Sequence, residues 1–265
     1  MSDRLKVAAA QCAAVNGNTA ENLQTMRRLS RQAAERGVEV LVYPELFVSG
    51  YFAGEAFSTL ADPCDGPIYQ EVSKMARELK MAICYGYPER DGRQIFNAAQ
   101  LVDDQGQALI NHRKTHPYGA YERQWFSNGD TIRSLALYRK FKLSVLICYE
   151  IEFPELARAN ALGGSNILLV PTAVIESTNP NEVAQLLARA RAAENNLFVV
   201  YANHISLETV GKFNGNSLIA GPLGALLQTA SDNREELIVA DLDAQQMSDA
   251  EGILPYLSDL REAIV

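Results

Sequence analysis

The sequence has no long hydrophobic run. The longest unbroken apolar stretches, such as those at residues 81–85 and 197–202, have the length of a β-strand, whereas a membrane-spanning helix needs about 20 apolar residues. The N-terminal residues also lack the basic start, apolar core and small-residue cleavage site of a secretory signal. We therefore expect no membrane partner and a cytoplasmic location.

Basic residues are outnumbered and scattered. The 24 lysines and arginines stand against 32 acidic residues, for a net charge of −8, whereas nucleic-acid binding requires a concentrated cationic face. The four cysteines form no C-x-x-C pair, so neither a zinc knuckle nor a redox dithiol is indicated. His112 and His116 would face one another only on a helix, which Pro117 disfavours. We expect no nucleic acid, no metal and no cofactor.

The remaining pattern alternates strands with helices and is interrupted by hairpins, which is typical of mixed sheets covered by helices. We expect one α/β domain over residues 1–265. Residues 115–131 show no clear period, and a loop of that length is usually functional. The pattern predicts helices near residues 18–37, 66–80, 153–162 and 180–196, and strands at residues 6–10, 38–43, 81–87, 95–102, 108–114, 141–147, 167–171, 198–203, 217–220 and 226–229.

Three reactive side chains each follow the end of a predicted strand, where sites in α/β sheets are built. Glu45 follows Pro44, Lys114 ends a hairpin strand, and Cys148 lies at a strand-to-helix turn. Alone, each has an ordinary interpretation: a turn glutamate, a solvated strand edge and a core cysteine. Together they supply a base, an ammonium and a nucleophile. We expect free backbone N–H groups at the turn to lower the pKa of the thiol and to stabilise an oxyanion.

These residues lie in three ordered blocks that resemble the signature of the nitrilase (carbon–nitrogen hydrolase) superfamily. The blocks are YPELF at residues 43–47, RKTH at residues 113–116 and CYEIEFPE at residues 148–155. Further matches are RAAEN at residues 191–195, YAN at residues 201–203 and PYL at residues 255–257. The resemblance covers essentially the whole chain.

The resemblance implies a four-layer α-β-β-α sandwich that assembles as a homodimer or larger homo-oligomer. It also implies that Cys148 is the nucleophile, that Glu45 is the general base and that Lys114 holds the oxyanion together with the backbone N–H of Tyr149. Glu122 corresponds to a second glutamate that positions the substrate. One departure is Glu150, because amidase members usually have aspartate two residues after the cysteine.

The substrate is indicated less directly. Cys-Tyr-Glu and the short C-terminus favour an amidase over a nitrilase, and the similarity is to bacterial 5-aminopentanamide amidases. Glu152 stands where other branches place an arginine for a substrate carboxylate, so we expect a small aliphatic amide, with an ω-amino amide as one candidate. Nitrilase, N-carbamoyl amino acid hydrolase and ω-amidase activities stay open, as do a surface role for Glu152 and a non-catalytic scaffold. Further candidates for the substrate pocket are Tyr118, Trp125, Ala173 and Asn203.

Overall fold

The computed structural model describes residues 3–175, 182–206 and 212–261. In these ranges no helix is both long and apolar enough to cross a membrane. The described chain contains two six-stranded sheets and seven α-helices, numbered here in chain order.

The first sheet has the strand order β12-β1-β2-β3-β4-β5. Strands β1, β2 and β3 are parallel to one another. Strand β12 is antiparallel to β1, β4 is antiparallel to β3, and β5 is antiparallel to β4. Because β5 again runs in the direction of β3, the carboxyl ends of β2, β3 and β5 lie at the same edge of the sheet. The strands are β1 (Arg4–Gln11), β2 (Val40–Val42), β3 (Ala82–Asp91), β4 (Gln94–Val102), β5 (Ala108–Arg113) and β12 (Glu236–Asp243).

The second sheet has the order β11-β10-β9-β8-β7-β6, with β7, β8 and β9 parallel. The strands predicted at residues 217–220 and 226–229 are confirmed as a hairpin of β10 and β11. The strands are β6 (Leu135–Tyr138), β7 (Phe141–Val145), β8 (Ile167–Thr172), β9 (Phe198–Asn203), β10 (Leu218–Ala220) and β11 (Leu226–Thr229).

Helices cover the outer face of each sheet. Buried side chains of α1 and α3 pack on the first sheet, and those of α5 and α6 pack on the second, while a third apolar cluster fills the space between the sheets. The predicted α-β-β-α sandwich is therefore confirmed. The helices are α1 (Thr19–Glu35), α2 (Phe57–Leu60), α3 (Pro67–Leu79), α4 (Gly119–Trp125), α5 (Pro154–Leu162), α6 (Arg189–Glu194) and α7 (Gln245–Ile253).

Strand burial explains why the pattern was readable. In the parallel centre Val40 and Val42 face the second sheet while Leu41 faces the helices, so the strand is apolar on both sides, as central parallel strands usually are. The predicted start of α1 is also confirmed, because the Asn18 side chain accepts a hydrogen bond from the backbone N–H of Glu21 at 3.2 Å, as N-cap side chains do.

Two predicted segments differ in the structure. Residues 115–131 are not a loop throughout, because α4 lies inside them; its two turns are too short to show a helical period. The helix predicted at residues 180–196 is a π-helix over Glu182–Ala188 that continues as α6, and residues 180 and 181 lie outside the described chain. The sequence prediction also missed β6, β12, α2 and α7.

Candidate active site

Cys148 lies in a tight turn directly after β7. Its φ of 49° is in the left-handed region that non-glycine residues rarely adopt. A single 3₁₀ segment, Cys148–Glu152, follows and leads into α5. The Glu150 carboxylate turns back and accepts a hydrogen bond from the backbone N–H of Ile147 at 2.7 Å. The predicted strand-to-helix turn is confirmed, and it presents the thiol at the carboxyl end of the second sheet.

Glu45 follows β2 and is completely buried. Its Oε1 accepts hydrogen bonds from Lys114 Nζ at 2.6 Å and from Asn97 Nδ2 at 2.7 Å. Its Oε2 makes no hydrogen bond in the described part of the chain. One carboxylate oxygen is thus held in place, and the other is free to accept a proton.

The backbone of Glu45 is fixed by the second sheet. Its N–H donates to the Thr172 carbonyl at 3.3 Å, and its carbonyl lies 2.7 Å from His204 Nε2. Gly86 packs against the same segment so closely that a Cβ there would lie 2.8 Å from the Glu45 carbonyl carbon. The orientation of this carboxylate is therefore set by both sheets.

Lys114 is buried between two carboxylates. Besides Glu45, its Nζ donates to both oxygens of Glu122 at 2.8 Å. Glu122 comes from α4 and is itself held by the Tyr51 hydroxyl at 2.7 Å and by the backbone N–H of Tyr118 at 3.0 Å. The structure thus brings the predicted base, ammonium and second glutamate into one hydrogen-bonded cluster.

Burial and charge set the protonation states of this cluster. Burial raises the pKa of Glu45 to about 7, an effect that the Lys114 charge opposes and the Glu122 charge reinforces. Burial would lower the pKa of Lys114, but the charges of Glu45 and Glu122 outweigh it and the net pKa is raised. Lys114 therefore stays an ammonium at neutral pH, while Glu45 can gain and lose a proton.

The prediction of a lowered thiol pKa is wrong. Burial raises the pKa of Cys148, the Glu45 and Glu122 charges raise it further, and the opposing effects of Lys114 and of a hydrogen bond to the Ala173 backbone are smaller. Removal of the thiol from water is the largest of these effects. Cys148 is therefore a neutral thiol at rest, and a base would have to remove its proton before the sulfur could attack a substrate.

The aromatic candidates differ in placement. Tyr149 is half-buried, and its ring centroid lies 5.1 Å from that of Tyr118, which is 52 % exposed. Trp125 packs on Phe57, and its indole N–H is buried without a hydrogen-bond partner in the described chain. Tyr118 therefore lies at the rim of the site, whereas Trp125 belongs to an aromatic cluster beside it.

Ala173 and Asn203 lie at strand ends of the second sheet. The backbone of Ala173 makes a hydrogen bond with the Cys148 thiol. Asn203 accepts hydrogen bonds from the N–H groups of Val174 and His204, both at 2.9 Å. Its amide donates to Asn214 and to the Gly215 carbonyl, so it has no donor or acceptor left for a substrate and instead holds the loop that carries Ala173.

Glu152 is half-buried at the end of the nucleophile turn. Burial raises the pKa of the nearby Tyr201 phenol, and a negative charge on either Cys148 or Glu152 would raise it further. Arg191 donates to the backbone carbonyls of Ile151 and Glu152 at 3.0 and 2.7 Å. This guanidinium therefore stabilises the turn. The Glu152 carboxylate and the Cys148 thiol both lie near enough to the Tyr201 phenol to affect its pKa.

Several functional residues were missed from the sequence. Asn97, His204, Tyr51 and Gly86 all contact the cluster, but each lies on a different strand or loop. Asn97 gave one signal as a polar residue within the largely apolar strand β4, and Tyr51 gave another because it follows the YPELF block by four residues. As for a metal, the described residues contain no group of three or more His, Cys, Asp or Glu side chains that could hold one.

Comparison with known proteins decides the family. Residues 6–251 match the family described as carbon-nitrogen hydrolase. The chain belongs to this family. The hydrolase is 43 % identical over 261 residues to a "hydrolase in pqqF 5′ region" of Pseudomonas protegens, covering 97 % of this chain and 89 % of that protein. It is 31 % identical to an N-carbamoylputrescine amidase of Oryza sativa, covering 92 % and 87 % of the two chains.

A solved structure resembles the hydrolase throughout its length. A double mutant of the amidase from Nesterenkonia sp. AN1, in complex with acrylamide, superposes with a TM-score of 0.89 at 28 % identity, covering 99 % of this chain and 96 % of that one. The resemblance inferred from the signature blocks is therefore confirmed, and the hydrolase acts on carbon–nitrogen bonds other than peptide bonds.

Proposed function

We propose that this hydrolase is an amidase that converts a small aliphatic amide to a carboxylic acid and ammonia through a thioester on Cys148, and that its preferred substrate is an ω-amino amide such as 5-aminopentanamide. The observation that carries the proposal is the buried Glu45–Lys114–Glu122 cluster beside a neutral thiol. The Nesterenkonia relative was crystallised with acrylamide, which is itself a small amide.

Acylation begins with proton transfer. Oε2 of Glu45, which has no hydrogen bond in the described chain, accepts the proton from Cys148 Sγ as the sulfur attacks the amide carbon. The carbonyl oxygen becomes an oxyanion, and Lys114 Nζ and the backbone N–H of Tyr149 stabilise it. Glu122 holds Lys114 in place during this step.

Collapse of the tetrahedral intermediate returns the proton. Glu45 donates it to the departing nitrogen, so ammonia leaves and a thioester remains on Cys148. A water molecule then loses a proton to Glu45 and attacks the thioester, and the same donors stabilise the second oxyanion. The carboxylic acid departs as Cys148 regains its proton. A carboxylate with a pKa of about 7 suits both directions of transfer near neutral pH.

Charge favours a cationic rather than an anionic acyl chain. The largest charge effects on the Cys148 thiol come from two carboxylates and one ammonium, and Lys114 is already hydrogen-bonded to both carboxylates. Glu152 adds a further negative charge near Tyr201. A substrate carboxylate would be repelled here, whereas an ω-ammonium group would be attracted.

The experiment is ammonia release by the purified hydrolase from three amides: 5-aminopentanamide, pentanamide, which has the same length without the amine, and 2-oxoglutaramate. The Cys148→Ala variant is the blank. We expect the highest kcat/KM on 5-aminopentanamide and none of it in the blank. A preference for 2-oxoglutaramate would refute the charge argument but leave the cysteine hydrolase standing, whereas equal release by the blank would refute the nucleophile.

Glu152→Gln tests the residue assigned to the amine. We expect it to raise KM for 5-aminopentanamide by up to about fivefold, since a partly exposed charge pair contributes roughly 1 kcal/mol, and to leave KM for pentanamide unchanged. Glu155→Gln is the matched control, because Glu155 is an exposed glutamate only three residues further along the chain. An equal effect on both substrates would show that Glu152 does not meet the amine.

A further inference from the structure

Glu150 is a completely buried carboxylate that accepts four hydrogen bonds. Oε2 accepts from the backbone N–H of Ile147 at 2.7 Å and from His112 Nε2 at 2.8 Å. Oε1 accepts from the backbone N–H and the hydroxyl of Thr115 at 2.8 and 2.6 Å. Two carboxylate oxygens offer about four acceptor positions, so Glu150 is fully engaged by the protein and does not meet the substrate.

The donors to this carboxylate come from both sheets. Ile147 directly precedes Cys148 on the second sheet, whereas His112 lies on β5 and Thr115 directly follows Lys114 at the end of that strand of the first sheet. Strands β5 and β7 are not paired with one another, so no backbone ladder fixes the separation of their ends. Glu150 links their ends through hydrogen bonds to both sides.

We propose that Glu150, with His112 as its partner, is a positioning residue that fixes the two oxyanion donors relative to each other. One donor, Lys114 Nζ, is on the His112–Thr115 side of the bridge, and the other, the Tyr149 N–H, is on the nucleophile turn. This inference rests on the catalytic roles proposed above. Because oxyanion stabilisation depends on donor placement, a displacement of about 1 Å lowers the rate roughly 100-fold.

Glutamine cannot replace this carboxylate. A glutamine side chain at this position has one acceptor oxygen and an NH₂ group in place of the second oxygen. If its oxygen faces Thr115, the NH₂ group faces the N–H of Ile147, and two donors then oppose one another. His112 can change tautomer to accept a hydrogen bond, but a backbone N–H cannot. Glu150→Gln should therefore separate the two sides of the bridge without changing side-chain size.

The experiment compares Glu150→Gln with a matched control, Glu89→Gln. Glu89 is equally buried and accepts hydrogen bonds from Arg113 and Asn111 of the same strand β5, but it lies on β3 and makes no link to the nucleophile turn. Two rates are measured on each folded variant. One is hydrolysis of the amide that the wild type cleaves fastest, and the other is alkylation of Cys148 by iodoacetamide, followed by the mass of the peptide that contains Cys148.

For Glu150→Gln we expect kcat to fall roughly 10- to 100-fold with KM within about threefold. Alkylation should stay within about threefold, because displacement of iodide develops no oxyanion. Glu89→Gln should keep the wild-type kcat. An unchanged kcat in Glu150→Gln, an equal loss in Glu89→Gln, or a parallel loss of alkylation would each overturn the proposal.

A milder variant covers the case in which Glu150→Gln does not fold. Thr115→Val removes one donor to Glu150 and keeps the backbone N–H and the branched shape. We expect a loss in kcat of about 3- to 10-fold with alkylation unchanged, and a wild-type kcat in a folded Thr115→Val would refute the bridge. The wild type and Cys148→Ala test the proposed function separately, so a failure there is distinguishable from a failure of this inference.

Discussion

The hydrogen bond from Asn97 to Glu45 should set the pH at which the hydrolase becomes active. Asn97 Nδ2 lies 2.7 Å from Glu45 Oε1, while its own Oδ1 is buried and has no hydrogen-bond partner in the described chain. Asn97→Ala therefore removes a donor to the carboxylate without leaving a new donor unpaired. The ionised form of Glu45 loses stabilisation that its protonated form does not need.

The expected size follows from the free energy of such a bond. A hydrogen bond to a charged group contributes about 1.5–3 kcal/mol, and about 1.4 kcal/mol corresponds to one pH unit in the pKa. The variant should raise the pKa of Glu45 from about 7 to roughly 8–9. At pH 7 the ionised fraction falls from about one half to between roughly 10 % and 1 %, so kcat/KM should fall about 5- to 50-fold.

The assay is the dependence of kcat/KM on pH, from about pH 5 to pH 10, which reports the free enzyme. The wild type should lose activity below about pH 7, tenfold per pH unit. In Asn97→Ala the acidic limb of the profile should be shifted to higher pH, and activity should recover near pH 9. Gln100→Ala is the control, because Gln100 is a buried amide on the same strand whose Nε2 donates to the Cys64 carbonyl at 2.9 Å. A uniform drop at every pH would refute the reasoning.

Three other expectations concern backbone packing, stability and thiol access. Gly86→Ala should destabilise the fold by about 1–3 kcal/mol and reduce kcat, because its Cβ would lie 2.3 Å from a backbone nitrogen next to the proposed base. The melting temperature measures the loss of stability. As the control, Gly252→Ala should not lower the melting temperature, because there is open space around Gly252. Burial lowers the pKa of His204 to about 4 from 6.5. As the pH falls, the unfolded chain therefore binds a proton at this histidine before the folded chain does, and up to about 3 kcal/mol of stability should be lost between pH 6.5 and pH 4. Urea titrations of His204→Phe should show a smaller loss over that range. Iodoacetamide should label Cys148 and a saturating amide should protect it, whereas a bulky maleimide should label the exposed Cys64. Mass spectrometry of peptides measures the labelling of both cysteines. Faster maleimide labelling of Cys148 than of Cys64 would contradict the burial of Cys148.

The sequence pattern predicted most strands and helices well because both sheets have apolar central strands separated by amphipathic helices, whereas the four-layer arrangement followed from the family resemblance. Elements with a weak sequence pattern were not predicted. Strand β6 has only four residues with Leu135 and Leu137 exposed, and β12 lies at the outer edge of its sheet. Its pairing with β1 joins residues more than two hundred positions apart, which no local pattern reveals. Edge strands of this kind depend on tertiary contacts rather than on periodicity.

The candidate site was only partly readable for a related reason. Glu45, Lys114 and Cys148 each follow a strand, which a sequence shows directly. The residues that hold them, such as Asn97 and His204, lie in the interiors or at the ends of other strands and become neighbours only when the two sheets pack. The pKa of the thiol was mispredicted because burial, a property of the whole fold, has the largest effect on it.

The charges of the cluster explain why the thiol can stay neutral until the substrate arrives. With Glu45 ionised, two carboxylates and one ammonium are buried together, so the cluster carries one net negative charge. Transfer of the thiol proton to Glu45 moves that charge to sulfur without changing its total, so desolvation is not increased overall. Because the pKa of Glu45 is about 7 and that of Cys148 is far above its usual value, the transfer is unfavourable at rest. In the proposed mechanism it becomes favourable only as the carbon–sulfur bond forms and the negative charge passes to an oxygen beside Lys114, so the base and the oxyanion donors must act in the same step.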